Sequence, residues 1–405
     1  MKKILIIITA LLVIILGAWI FFRDSETPIV ETIIDGLPFG SGEDINIPGG
    51  VGGDMVGQTT PFDENISAED KLFRISNTPV AGFVPFARGE DTIVRYMDRA
   101  TGHIFDVTLP QGNSPLEKDR VTNTTLTKIY EAHFRADGSE VLIQSLNEAE
   151  EVTSVSLTLT PPRTTSTSTN ALWTITSTNL RGEIDSATPG TSNSIFYVLK
   201  DAGAIVSSTW TGGSLRTLFQ SEFNQWQLSR AGANLLVQTK ASADAPGFAY
   251  LLNSNGGTLS KVVGPLNGLT AASNSNASRT LYSYAEGNST KLFVQRSGGV
   301  TSEILPATIA EKCIWSTEET SVFYCGTPIN GINSKEPDGW YQGRTHFSDY
   351  IWRFDTDSEI AQLVSDPKAD FSIDLDVFKP TLAGEDKYLI FLNKNDLTLW
   401  AVKLF

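Results

Sequence analysis

From Lys71 to the end of the chain, short apolar stretches alternate with polar turns rich in Gly, Asn, Asp and Ser. Within the stretches apolar residues recur at every second position, or β-branched and aromatic residues cluster. Successive side chains of a strand point to opposite faces, so this period predicts half-buried β-strands. No run of ten or more residues carries a helical stripe. The expected fold class is all-β.

One unit repeats. A strand ends in a polar turn that often bears glycine, and a more apolar strand follows. The instances are ARGEDTIVRY, FRADGSEVLI, SATPGTSNSIFYV, SRAGANLLVQ, SNASRTLYSY, STEETSVFYC and LAGEDKYLIFL. A third strand follows the unit, as in GHIFDVTL, TKLFVQR, YIWRFD and LTLWAVKLF, and a fourth such as LRTLFQS or EIAQLVS leads onward. With Ile93, Val141, Ile195, Leu235, Leu281, Val322 and Leu389 as equivalents, the spacings are 48, 54, 40, 46, 41 and 67 residues. Four-stranded propeller blades recur at about 40–50 residues. The prediction is a β-propeller of seven four-stranded blades, with six or eight left open by the longer intervals.

The last unit stops after its third strand, and KLFRIS at 71–76 precedes the first complete unit. Pairing Leu72–Ile75 with Leu399–Val402 would complete that blade and remove the open strand edges. The turn pattern of FRADGSEVLI (134–143) and WSTEETSVFY (315–324) resembles the WD40-like and TolB-like propeller repeats. The G-H and W-D dipeptides of true WD repeats are absent in register. The resemblance covers most of 71–405 and implies an architecture and a habit of partner binding, with no specific activity.

Ahead of this region, Ile4 to Phe22 is nineteen residues without a charge. As a helix it would be roughly 28 Å long, against a bilayer hydrocarbon core of roughly 30 Å. Lys2 and Lys3 precede it, while Arg23 is followed at once by Asp24 and Glu26. Positive charge tends to stay on the cytoplasmic side. The expectation is a single-pass anchor with its N-terminus cytoplasmic and the remainder extracytoplasmic. A cleaved signal peptide is the alternative, although Leu16-Gly17-Ala18 is the nearest approach to a cleavage site. Residues 24–68 are rich in glycine with scattered acids and prolines, which predicts a flexible tether. The expected organisation is an anchor over 1–23, a tether over 24–68 and a propeller over 69–405.

Charge narrows the partners. The net charge is −15, and −17 beyond Lys3 (29 basic against 46 acidic residues). An acidic surface repels phosphate backbones, and no basic stripe offsets it, so nucleic-acid binding is not expected. Cys313 and Cys325 are the two cysteines, in CIWSTEETSVFYC. A hairpin centred on Glu319 sets them opposite each other, within disulfide reach. Two buried thiols are the alternative.

Candidate chemistry is sparse. No G-x-S-x-G, P-loop, G-x-G-x-x-G or H-E-x-x-H is present, and no catalytic residue, metal site or cofactor is assigned. His103 and His133 lie in strand-like runs and read as structural. Asp355 with Asp357, and Asp374 with Asp376, are paired acids of the kind that are usually solvated. Glu131 and Glu183 are inner-strand acids that a propeller channel could gather.

Two insertions stand out: the Ser/Thr-rich stretch 160–170, and 327–349 within the sixth blade. The second carries Asp338, Trp340, Tyr341, Arg344, His346, Phe347 and Asp349. Long loops inside compact domains are often functional, and Trp, Tyr and Arg are enriched in interface hot spots. The expectation is a membrane-anchored extracytoplasmic scaffold binding an envelope protein or glycan through this loop. The alternatives are a hydrolase or lyase acting on envelope polymers at the propeller mouth, and a structural subunit of a larger envelope assembly.

Overall fold

The computed structural model describes residues 70–405 apart from 112–114, 163–170 and 181. The apolar run 4–22, the tether and most of the Ser/Thr-rich stretch lie outside the described residues. Among those described, no helix is long and apolar enough to cross a membrane.

The described strands number 28 and form seven four-stranded sheets. Each is an antiparallel meander, and the first strands of successive sheets touch around a ring. This is a seven-bladed β-propeller. Blades 1 to 6 span 80–120, 129–179, 184–220, 226–267, 270–303 and 313–365. Blade 7 takes three strands from 377–403 and its fourth from Leu72–Arg74. The seven residues read as equivalents all fall on the second strand of successive blades and are at most 3% exposed. The 67-residue interval is explained by the insertion in blade 6 and by a short helix, Pro367–Phe371, ahead of blade 7.

The core lies between blades. Val322 and Tyr324 of blade 6 pack with Leu389 and Phe391 of blade 7, and Phe196 and Val198 of blade 3 pack with Leu235 and Val237 of blade 4. Full burial of such side chains contributes about 1.5–3 kcal/mol each. The ring closes as expected: Leu72 pairs with Val402, Phe73 with Ala401 and Arg74 with Trp400. The Arg74 guanidinium lies 4.7 Å from the Trp400 ring centroid.

Cys313 and Cys325 are direct partners in the ladder of blade 6 and form a disulfide, with Cα atoms 4.1 Å apart. That is slightly closer than the 4.5–5.5 Å expected of an opposed pair.

Several innermost strands are irregular. Register shifts interrupt them at Val80/Gly82, Ile129/Glu131, Ile184/Ala187 and Phe378/Thr381. A bulge re-aims the side chains beyond it. In blade 7 the bulge holds Lys379 at φ 50°, a left-handed conformation that costs a non-glycine residue about 1–3 kcal/mol.

Candidate functional site

In a four-stranded meander, the loop between second and third strands shares a face with the loop entering the next blade. The blade 6 insertion therefore lies on the same face as residues 304–312, 366–376 and 394–398. The strands run to Pro328 and resume at Asp349, so the excursion itself is 329–348. Its middle is a one-turn helix, Asp338–Tyr341.

The insertion is organised from within by Glu336, which is buried. Its carboxylate accepts from the Trp340 amide at 2.8 Å, the Thr345 hydroxyl at 2.7 Å and the Ser334 hydroxyl at 2.8 Å. A Cβ on Gly339 would lie 2.5 Å from Thr345 Oγ1 and 3.0 Å from Glu336 Oε1, so only glycine fits there. The loop also reaches sideways to blade 4. Asp338 Oδ2 accepts from the Ala243 amide at 2.6 Å, and Lys335 pairs with Asp244 at 3.2 Å.

Beneath it is a buried ionic centre. The Lys312 ammonium is fully buried between Asp349, at 2.7 Å, and Asp376. Asp376 also accepts from the Trp340 indole at 3.0 Å and from the Phe347 amide at 3.1 Å. Asp349 accepts from the Val377 amide at 2.7 Å. Trp340 is fully buried among Ile309, Ile332, Tyr341, Phe347 and Phe378. One cluster thus joins blade 6, blade 7 and the insertion.

Of the loop residues singled out from the sequence, Trp340 and Asp349 are inside, Asp338 brackets blade 4, and Tyr341 and Phe347 are half-buried. Arg344 and His346 face outward. Arg344 Nε donates to Gln342 Oε1 at 2.8 Å, and His346 Nδ1 lies 3.1 Å from Asn395 Oδ1. Asp338, His346 and Asp349 hydrogen-bond to different partners and do not converge. The paired acids have their own partners too: Asp374 with Lys368, Asp357 with Arg279, and Asp355 with the turn at Asp357 and Ser358. Among the described residues, no group of His, Cys, Asp and Glu is arranged to hold a metal ion.

A second set of groups gathers where the innermost strands line the channel. Glu131 of blade 2 pairs with Lys379 of blade 7, and His133 Nε2 lies 3.4 Å from the same carboxylate. Tyr341 donates its hydroxyl to Glu311. These side chains lie deep in the molecule yet keep surface open to water, 27% for Glu131, 17% for His133 and 37% for Lys379. Glu183, by contrast, pairs with Lys200 in solvent. The sequence singles out Glu131 but gives no sign of its cation, which is 248 residues away.

Environment sets the charges. Burial works against ionised Glu131, but His133 and Lys379 outweigh it and hold the carboxyl at about 2. Burial, with the Lys379 charge, pushes the His133 imidazole down, against the pull of the Glu131 carboxylate. For Asp349, burial comes first, and with the Asp376 charge it outweighs Lys312, raising the carboxyl to about 6. The two acids act oppositely on stability. The Glu131 contribution is complete above its ordinary 4.5 and is lost as pH falls through about 2. The Asp349 contribution is complete below its ordinary 3.8 and is lost as pH rises through about 6. Thermal unfolding of Glu131→Gln, followed by circular dichroism at acid pH, is expected to lose less stability on acidification than the unsubstituted protein. Parallel curves for the two proteins would contradict the pairing.

On the opposite face, the first turns of blades 1, 6 and 7 frame a cleft of about 540 Å³ that includes Glu90, Glu318, Glu385 and Lys387. Its buried carboxylate, Asp386, accepts from the Ser316 and Thr317 hydroxyls and so ties blades 6 and 7 together.

No family model matches the sequence, and no curated protein matches it. Solved structures resemble the chain in fold. An oligogalacturonate lyase in complex with manganese superposes with a TM-score of 0.51 at 10% identity, over 82% of this chain and 93% of that one. A virginiamycin B lyase from Staphylococcus aureus superposes at 0.47 and 13% identity, covering 82% and 98%. YCF48 from Cyanidioschyzon merolae gives 0.47 and 10%, covering 82% and 98%. At these identities the likeness is one of fold.

Proposed function

We propose that this protein is a membrane-held, extracytoplasmic propeller that binds a protein of the cell envelope through the blade 6 insertion. The observation that carries this reading is the way the insertion is seated. Asp338 fixes it to blade 4 and Trp340 to the start of blade 7, Glu336 braces it from within, and Gln342, Arg344 and His346 remain exposed on its rim. A surface ordered before binding loses less conformational entropy on association. The uncharged run 4–22 after Lys2 and Lys3 supports the membrane placement, and the tether supplies reach. The repeat is of the WD40-like or TolB-like kind on this reading, with the Asp137–Gly138 turn as its best example.

The test is crosslinking in intact membranes followed by co-purification. The double variant Arg344→Ala/His346→Ala is expected to lose at least one partner while keeping the circular dichroism of the unsubstituted protein. An unchanged partner set sinks the proposal.

A lyase or hydrolase at the channel mouth is the second reading, favoured by the convergence of Glu131, His133 and Lys379. A general base works best with a pKa near the operating pH. Glu131, held at about 2 and tied to Lys379, is a weak base, so the geometry supports binding better than catalysis.

A further inference from the structure

We propose that the outer edge of blade 6 takes up an extended peptide as a fifth strand, one with alternating apolar side chains and basic flanks. Ile360–Ser365 is the last strand of that sheet, so one side of its backbone has no ladder partner. Among the described residues, no backbone group outside its own ladder bonds to 360–365. An open edge is a template for another chain, and proteins guard such edges with charge, proline or shortness. Most outer strands here are guarded. Glu117–Arg120 is charged throughout, Ser260–Asn267 carries Lys261 and Pro265, and Arg216–Gln220 carries Arg216. Thr301–Glu303 and Leu72–Arg74 are three residues long. Thr174–Asn179 is uncharged but polar apart from Ile175. Ile360–Ser365 reads IAQLVS, with no charge and no proline, and leaves Ile360 58% and Leu363 44% exposed.

A groove of about 300 Å³ lies beside this edge, between the outer strands of blades 5 and 6. Its apolar lining includes the buried Val294 and Phe354, the half-buried Ile304, and Leu305, which is 66% exposed. Ala361 stands opposite Phe354 in the ladder and Leu363 opposite Trp352, on the face that packs toward blade 5. A fifth strand would point alternate side chains to that same face. Charge selects the occupant. Glu303, Asp355 and Glu359 line the groove against Arg296 alone, whose guanidinium already donates to the Ser302 hydroxyl and the Thr356 carbonyl. Glu359 and Asp366 bracket the strand. A second copy of the strand fits poorly. Antiparallel pairing of Ile360 with Ser365 sets Glu359 against Asp366 of the second copy, and parallel pairing sets Glu359 against itself; like charges so opposed are destabilising. Lysine or arginine at both ends of the incoming segment turns that repulsion into attraction. This edge shares no residue with the rim of the insertion and stands apart from the protein-contact reading.

The probe is the fluorescein-labelled peptide KTVTVTVK, with ETVTVTVE as its charge-reversed counterpart, followed by fluorescence anisotropy on the full chain. The lysine-flanked peptide is expected to bind at least about tenfold more tightly than the glutamate-flanked one, the equivalent of roughly 1.4 kcal/mol. Leu363→Lys, which places a charge on the open edge, is expected to weaken binding of KTVTVTVK at least about tenfold with unchanged circular dichroism. Glu359→Lys, at an exposed turn, is expected to narrow the preference between the two peptides. Leu215→Lys, at an exposed leucine of blade 3, is expected to bind as the unsubstituted protein does. The proposal is overturned by absence of KTVTVTVK binding, by equal binding of the two peptides, or by full binding to Leu363→Lys. It is overturned in favour of a second copy if sedimentation shows a dimer that Leu363→Lys dissolves.

Discussion

Replacing Lys312 with methionine is expected to destabilise the propeller by about 3–5 kcal/mol, the cost of leaving buried charge without its partner. The substitution preserves much of the side-chain volume, so the loss isolates the ammonium. Asp349 and Asp376 would then face each other out of water with no cation between them. Protonation of one acid is the cheapest relief, so the loss should shrink as pH falls. Urea unfolding followed by tryptophan fluorescence measures it at neutral and mildly acid pH. A loss below about 1 kcal/mol at neutral pH would show that the ionic centre does not hold blades 6 and 7 together.

Trp340→Ala is the second large expectation. Removing a buried tryptophan costs about 3–5 kcal/mol through lost transfer energy and the cavity left behind. The indole also donates to Asp376, which would lose one of its partners. The damage should be local, because Trp340 packs with the insertion and its immediate floor and takes no part in the blade ladders. Limited proteolysis is therefore expected to cut within 329–348 while the β signal in circular dichroism persists. Tyr341→Phe, which deletes only the hydroxyl donated to Glu311, should cost about 1 kcal/mol and leave the insertion resistant. If Trp340→Ala proves as resistant as the unsubstituted protein, the indole is not what seats the loop.

The architecture was legible in the sequence because it is written in local patterns. Period-two alternation marks each strand, and a polar turn precedes each second strand, so the seven equivalents from Ile93 to Leu389 align without a structure. The disulfide was legible for the same reason, its halves being 12 residues apart in one hairpin. The sites are harder to read. A tryptophan in a long polar loop gives the same signal whether it meets a partner or, as Trp340 does, fills the floor under its own loop. Glu131 and Lys379 meet only because the ring brings blade 7 near blade 2. Bulges at Ile129/Glu131 and Phe378/Thr381 break the alternation, so the channel-facing residue cannot be counted off along the strand.

Because blade 7 is assembled from the first described strand and the last, its completion is incompatible with purely vectorial folding. During synthesis, Leu72–Arg74 emerges long before its docking strand, Leu399–Lys403, exists. Until then blade 1 has no finished neighbour on one side, and the apolar surface that Tyr96 and Val94 share with Ile390 and Leu392 stays uncovered. The nascent chain thus passes through an open-ring stage with one sticky flank, and a chaperone acting on this protein would find its work there.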